Sequence, residues 1–191
     1  MAEIKKIGRF EGIFQSPTNE SKVTSLIILL HGWGADASDM FGLAPILCQI
    51  RAGCGFYAPN ALSTCSASPL GREWFDIQEG EKGAMMALDD VKELIQGALD
   101  EYSLPSSRVI LGGFSQGGMM TLTTGTSINL AGLISFSGAL LTEQNLKQAS
   151  HSSPPILLIR GDLDDVVPET SLFEAQSHFE EKGYDVEVVL D

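Results

Sequence analysis

The hydrophobic positions of the chain fall into short continuous runs separated by longer stretches with helical spacing. Runs at 25–30, 54–58, 108–112, 132–136, 156–160 and 185–190 read as buried strands, because a strand covered on both faces loses its apolar–polar alternation. Between them the clearest helix is predicted over 82–102, where Met85, Leu88, Val91, Leu94, Ile95, Ala98, Leu99 and Tyr102 share one face. Asp39 near the start of one helix, Pro105 after the 82–102 helix and Gly183 after a third supply start and stop signals. The segment 4–14 alternates between turns and reads as an antiparallel edge strand.

Strands alternating with helices of this length predict an α/β fold. Its central sheet is mostly parallel and carries helices on both faces, since parallel neighbours require crossover connections. No repeat, low-complexity tract or long linker divides the chain, and the loops at 16–21 and 150–155 are short. Residues 1–191 are therefore expected to form one domain. In such sheets ligands bind beyond the carboxyl ends of the strands, so the reactive residues that follow strands carry the functional reading.

Three strand ends qualify. After 108–112 comes Gly113-Phe114-Ser115-Gln116-Gly117, with a helix expected from Gly117 towards Gly125. A GxSxG sequence between strand and helix is the context of a nucleophile elbow, a sharp turn that exposes the serine and needs small neighbours. The helix N-terminus adds N–H groups beneath developing negative charge. After 25–30 comes His31-Gly32-Trp33-Gly34, a turn whose Trp33 amide, with the amide of Gln116, would make a two-donor oxyanion hole, although in isolation an ordinary strand-ending turn is the favoured explanation of these residues. Its histidine reads as a loop-organising hydrogen-bonder rather than a base. After 156–160 comes Gly161-Asp162-Leu163-Asp164-Asp165-Val166-Val167-Pro168, where Asp164 is the carboxylate chosen to orient a histidine; a solvated turn or helix cap is the competing explanation of this acidic run.

Composition narrows the class. Twelve basic against 25 acidic residues leave a net charge of −13, which disfavours nucleic acid and anionic lipid. The charged N-terminus has no signal-peptide core, and no apolar run approaches the about 20 residues of a membrane span. Three cysteines without a CxxC, and no histidines at ligand spacing, predict a reducing, cytoplasmic setting and no structural metal.

Taken together, 26–36 (LIILLHGWGAD), 57–61 (YAPNA), 74–77 (WFDI), 108–120 (RVILGGFSQGGMM), 135–138 (SFSG) and the GDLDDVVP stretch resemble the phospholipase/carboxylesterase family, which includes bacterial carboxylesterases and acyl-protein thioesterases. The resemblance covers nearly the whole chain and implies an α/β-hydrolase fold. It implies Ser115 as nucleophile, Asp164 as triad acid, and the amides of Trp33 and Gln116 as the oxyanion hole. It also implies no cofactor or metal, and a small acyl ester or thioester, such as a carboxylic ester, lysophospholipid or S-acylated protein, as substrate. Trp74 reads as mainly structural, and a hydrophobic channel is expected to draw on parts of 62–70 and Met85.

Two departures stand out. Arg160 occupies the position before the loop glycine where the family usually has histidine. The family's catalytic histidine lies a few residues after the strand at 185–190, and residues 1–191 stop short of it and of the final helix. The resemblance thus implies that these residues alone are nearly inactive and that the uncovered C-terminal face favours self-association. His31, His151 and His178 are poorly placed to replace the missing base: the first belongs to the oxyanion loop, the second precedes a strand, and the third lies well into a helix. The alternative from another class is a non-catalytic ligand-binding module of the same fold; dienelactone-hydrolase or peptidase-like activity is a second enzymatic alternative.

Overall fold

The computed structural model of the protein describes residues 1–18, 22–141 and 153–190. Eight strands form one sheet: β1 (Ala2–Ile7), β2 (Phe10–Gln15), β3 (Ser25–Leu30), β4 (Cys54–Pro59), β7 (Val109–Phe114), β8 (Gly132–Phe136), β9 (Ile156–Arg160) and β10 (Val186–Leu190). Their order across the sheet is β1-β2-β4-β3-β7-β8-β9-β10. Pairings from β4 through β10 are parallel, while β1–β2 and β2–β4 are antiparallel. The α/β class expected from the sequence is the one observed. β5 (Ser63–Cys65) and β6 (Ser68–Glu73) form a separate antiparallel hairpin.

Alternate residues of β3 face opposite layers. Leu26, Ile28 and Leu30 enter the larger core with Val91, Leu94 and Ala98 of α3 (Gly80–Tyr102), Met120 and Leu122 of α4 (Gln116–Gly125), and Leu172, Ala175 and Phe179 of α5 (Glu169–Glu181). Ile27 and Leu29 enter a smaller core with Ala37 of α1 (Ala37–Phe41), Ala44 of α2 (Ala44–Leu47), Cys54 and Phe56. On this second face Ile110, Ile134, Leu157 and Ile159, from β7 to β9, are only half-buried.

Two expectations need correcting. The single edge strand read at 4–14 is a hairpin: Gly8, at φ 58°, reverses the chain between β1 and β2, with Ile7 paired to Phe10. A glycine in a left-handed turn between two alternating stretches carries that signal, and alternation alone conceals it. Met85 is not part of the buried stripe of α3, being 42% exposed; the stripe runs through Gly83, Ala84, Ala87, Val91, Leu94, Ile95 and Ala98. Small residues at the start of the helix bring its backbone close to neighbouring elements and turn Met85 outward.

Register places the functional loops at one edge. Leu30 lies opposite Gly113, Phe114 opposite Phe136, Phe136 opposite Ile159, and Arg160 opposite Leu190. The carboxyl ends of β3, β7, β8, β9 and β10 therefore all lie on the same side.

Candidate active site

Ser115 is the single residue between β7 and α4. It adopts φ 51° and ψ −115°, a backbone region that costs a non-glycine residue on the order of 1–3 kcal/mol. The turn is held from both sides: the Ser115 N–H donates to Phe136 O at 2.8 Å, and Ser115 O accepts the Met119 N–H at 2.9 Å. Close approach explains two of the glycines. A Cβ at Gly117 would lie 2.4 Å from Leu30 O and 2.6 Å from His31 O, and one at Gly113 would lie 2.3 Å from the Gly117 carbonyl carbon. The Ser115 residue is half-exposed. Gln116 is the first residue of α4, so its N–H belongs to the turn whose donors lack intrahelical acceptors.

The loop at 31–34 packs directly on this turn: a Cβ at Gly32 would sit 3.5 Å from both Phe114 O and Ser115 Cβ. Its neighbours are tied down, Gly34 N–H donating to Arg72 O and Ala35 N–H to Gly32 O, while the Trp33 amide has no backbone acceptor among the described residues. The Trp33 indole N–H donates to Glu73 Oε2 at 2.7 Å, anchoring the ring to the end of β6.

His31 is fully buried. Its Nε2 faces the Ala61 N–H at 3.1 Å, and because an amide can only donate, Nε2 must be the lone-pair nitrogen. Nδ1 then carries the proton and donates to Gly32 O at 2.8 Å. Burial lowers the pKa of the imidazole, favouring this neutral form. Both nitrogens are occupied in shaping the loop. Asn60, from the same 57–61 segment, accepts the Ala37 N–H at the start of α1, where Asp36 and Asp39 form a capping box.

The 74–77 segment is fastened to both loops. Trp74 donates its N–H to Gln116 Oε1 at 2.9 Å, Gln116 Nε2 donates to Phe75 O at 2.8 Å, and the Trp74 indole donates to His31 O at 2.9 Å. Trp74 and Gln116 are both buried. Leu70 is 92% exposed and Met85 lies on the outer side of α3, so neither is enclosed in a channel within the described residues.

Three aspartates follow β9, and the structure separates them. Asp162 and Asp165 are exposed. Asp164 Oδ1 accepts the N–H groups of Val166 and Val167, each at 3.0 Å, and its carboxylate is hydrogen-bonded by the Ser137 side chain. Ser137, these amides and the nearby Arg160 charge hold the Asp164 carboxyl below its usual range. Ser137 directly follows β8, is nearly buried and has φ 48°. Since the preceding residue, Phe136, accepts the Ser115 N–H, a single bend of chain links the serine turn to the acid loop. Arg160, also buried, donates Nε–H to Val167 O at 3.0 Å, Nη1–H to Gly161 O at 2.9 Å and Nη2–H to Asp164 O.

Ser115, Asp164 and the 31–34 and 116 amides are thus assembled at one sheet edge. His178 lies in α5, ten residues into the helix and in edge contact with Phe179, away from this edge. His151 lies outside the described residues. Sequence reasoning did not single out Ser137 or the Gln116 side chain as structural ties; the SFSG and GxSxG strings contain them, but nothing in their spacing reports a left-handed serine or a buried amide partner.

Comparison with known proteins gives consistent matches. Residues 14–188 match the model of the phospholipase/carboxylesterase family. Acyl-protein thioesterase 1 of Mycosarcoma maydis is 32% identical over a 134-residue alignment that covers 58% of this chain and 54% of the relative, so the match spans about half of that protein. The crystal structure of esterase PE8 superposes with a TM-score of 0.88 at 32% identity, covering 95% of this chain and 88% of that one. Arabidopsis thaliana SOBER1, at 24% identity and TM-score 0.72, covers 87% of this chain and 88% of its own; it shows likeness of fold.

Proposed function

This chain belongs to the phospholipase/carboxylesterase family, and from that premise we propose that the protein hydrolyses carboxylic esters or thioesters through an acyl-enzyme on Ser115. The observation that carries the proposal is the strained Ser115 turn joined through Phe136 and Ser137 to a carboxylate that is already oriented. The esterase and thioesterase names of the relatives support the reaction class.

In this reading the Ser115 Oγ attacks the acyl carbon while an imidazole takes its proton. The amides of Trp33 and Gln116 stabilise the tetrahedral oxyanion, the leaving alcohol or thiol receives the proton, and water then releases the acid by the same route. Asp164 orients the imidazole and stabilises its charged form. Among the described residues His31 is fully engaged and His178 is remote, and the family resemblance assigns the imidazole to a histidine that follows the β10 strand. Leu190 lies opposite Arg160, so the carboxyl end of β10 lies beside the start of the acid loop. Without that histidine the chain is expected to be nearly inactive, since loss of a triad histidine costs on the order of 10⁶ in turnover. The half-buried Ile110, Ile134, Leu157 and Ile159 face is expected to favour self-association. Among the described residues no helix is long and apolar enough to cross a membrane. The three free cysteines support a reducing, cytoplasmic setting, in which the enzyme acts on a small acyl ester or thioester.

The test is hydrolysis of p-nitrophenyl butyrate by residues 1–191, by the same chain extended with a family-like C-terminal segment containing the histidine, and by each with Ser115→Ala. Turnover in the extended chain alone, abolished by Ser115→Ala, is the expected result. Strong Ser115-dependent turnover by residues 1–191 would place the base elsewhere. Silence of both folded proteins would favour the non-catalytic binding module.

A further inference from the structure

The loop between β9 and α5 spans residues 161–168 without regular secondary structure, yet it carries the carboxylate on which the proposed reaction depends. Backbone carbonyls turned inward from such a loop need donors, because a buried unpaired carbonyl costs about 1–3 kcal/mol. Three of them, on Gly161, Asp164 and Val167, converge on one side chain, the guanidinium of Arg160. Arginine suits this task because its planar fork presents five donors at fixed angles and keeps its charge at every relevant pH. A lysine ammonium offers three donors on one atom and would not reach three carbonyls spread over seven residues with the same geometry.

The contacts divide the work on Asp164. Ser137 and the Val166 and Val167 amides hold its carboxylate, while Arg160 holds the backbone carbonyl of the same residue and the carbonyl of Val167 three positions on. Fixing only the carboxylate would leave the loop free to pivot about Ser137; fixing the backbone as well removes that freedom. We propose that Arg160 is a positioning residue for the reaction: its three-carbonyl clamp sets the 161–168 loop so that Asp164 meets the catalytic imidazole in one orientation. This rests on the reading of Asp164 as the triad acid. The guanidinium also contributes a nearby positive charge that favours the ionised carboxylate.

The experiment compares the chain extended by the histidine-containing C-terminal segment with its Arg160→Lys and Arg160→Met variants in three readouts: the kcat and KM for p-nitrophenyl butyrate, the carboxyl carbon titration of Asp164 by NMR, and backbone amide exchange. Both variants are expected to lose about 100-fold in kcat, the scale of an ångström-level misplacement, with KM little changed. Exchange should quicken at Val166 and Val167 while the amides of β7 and β8 keep their protection, and the Asp164 titration should move up towards the ordinary carboxylate range, further in Arg160→Met than in Arg160→Lys. Folded variants with the parent kcat, titration and exchange would overturn the proposal. So would a loss of protection spread evenly over the sheet, which would make Arg160 a general stabiliser. Asp164→Asn separates the two claims: if it retains the parent kcat, the assignment of Asp164 as acid fails, whereas the clamp is judged by the titration and exchange of the Arg160 variants.

Discussion

The Trp74 N–H donates to Gln116 Oε1 at 2.9 Å, so the residue following Ser115 is tied by its side chain to a segment forty-two positions earlier. With the return bond from Gln116 Nε2 to Phe75 O, the two groups exchange hydrogen bonds in a buried setting. Gln116→Leu should therefore cost about 2–4 kcal/mol, since it leaves a buried N–H and a buried C=O unpaired. Urea denaturation measures the loss, and an unchanged midpoint would show that the ties are dispensable.

Backbone strain at Ser115 separates stability from function. Glycine relieves the φ 51° conformation, at an entropic cost of about 0.5–1 kcal/mol, while alanine leaves it in place. Ser115→Gly should melt above Ser115→Ala by roughly 1–2 kcal/mol-equivalent, with both inactive. Thermal melts of the pair decide this; equal melting would mean that the turn stores no recoverable strain.

Acid stability should fall in two stages. Burial depresses the folded pKa of His31, so the unfolded state takes up the proton first, and stability declines as pH drops below the unfolded value of about 6.5. Asp164 is also depressed in the folded state; its contribution is present above the unfolded value of about 3.9 and disappears as pH falls through the folded one. Melting temperature against pH should lose its upper decline in His31→Gln and part of its lower decline in Asp164→Asn.

Glycine tolerance offers a paired test of local packing. Gly117→Ala would drive a Cβ into the backbone carbonyls of Leu30 and His31 and is expected to destabilise by about 3 kcal/mol. Gly42 has helical φ and ψ and no neighbour within 4 Å of an added Cβ, so Gly42→Ala should be neutral or stabilising by about 0.4–1 kcal/mol. Chemical denaturation of both variants checks the contrast.

The sheet was legible because its central strands are apolar on both sides: the expected bounds of β3, β8 and β9 coincide with those observed. The β5–β6 hairpin was not legible, since its nine strand residues are mostly polar or small and it is placed by backbone bonds to the 31–35 loop rather than by an apolar face. The candidate site divides in the same way. Ser115, Asp164 and the 31–34 loop follow strands and could be found from position, whereas the supports around them depend on residues distant in sequence. The Ser137 contact needs β8 beside β9, and the Gln116 contact needs the segment after β6 to fold over α4, and neither adjacency leaves a periodic trace.

The proposed reaction requires that Ser115 becomes acylated. The decisive measurement is to mix the C-terminally extended chain with excess p-nitrophenyl butyrate, quench in acid within one turnover and map the peptides by mass spectrometry. One butyryl group is expected on the peptide containing Ser115, absent from Ser115→Ala and retained longer in Asp164→Asn. Turnover without any acylated peptide, or a butyryl group on another residue, would contradict it.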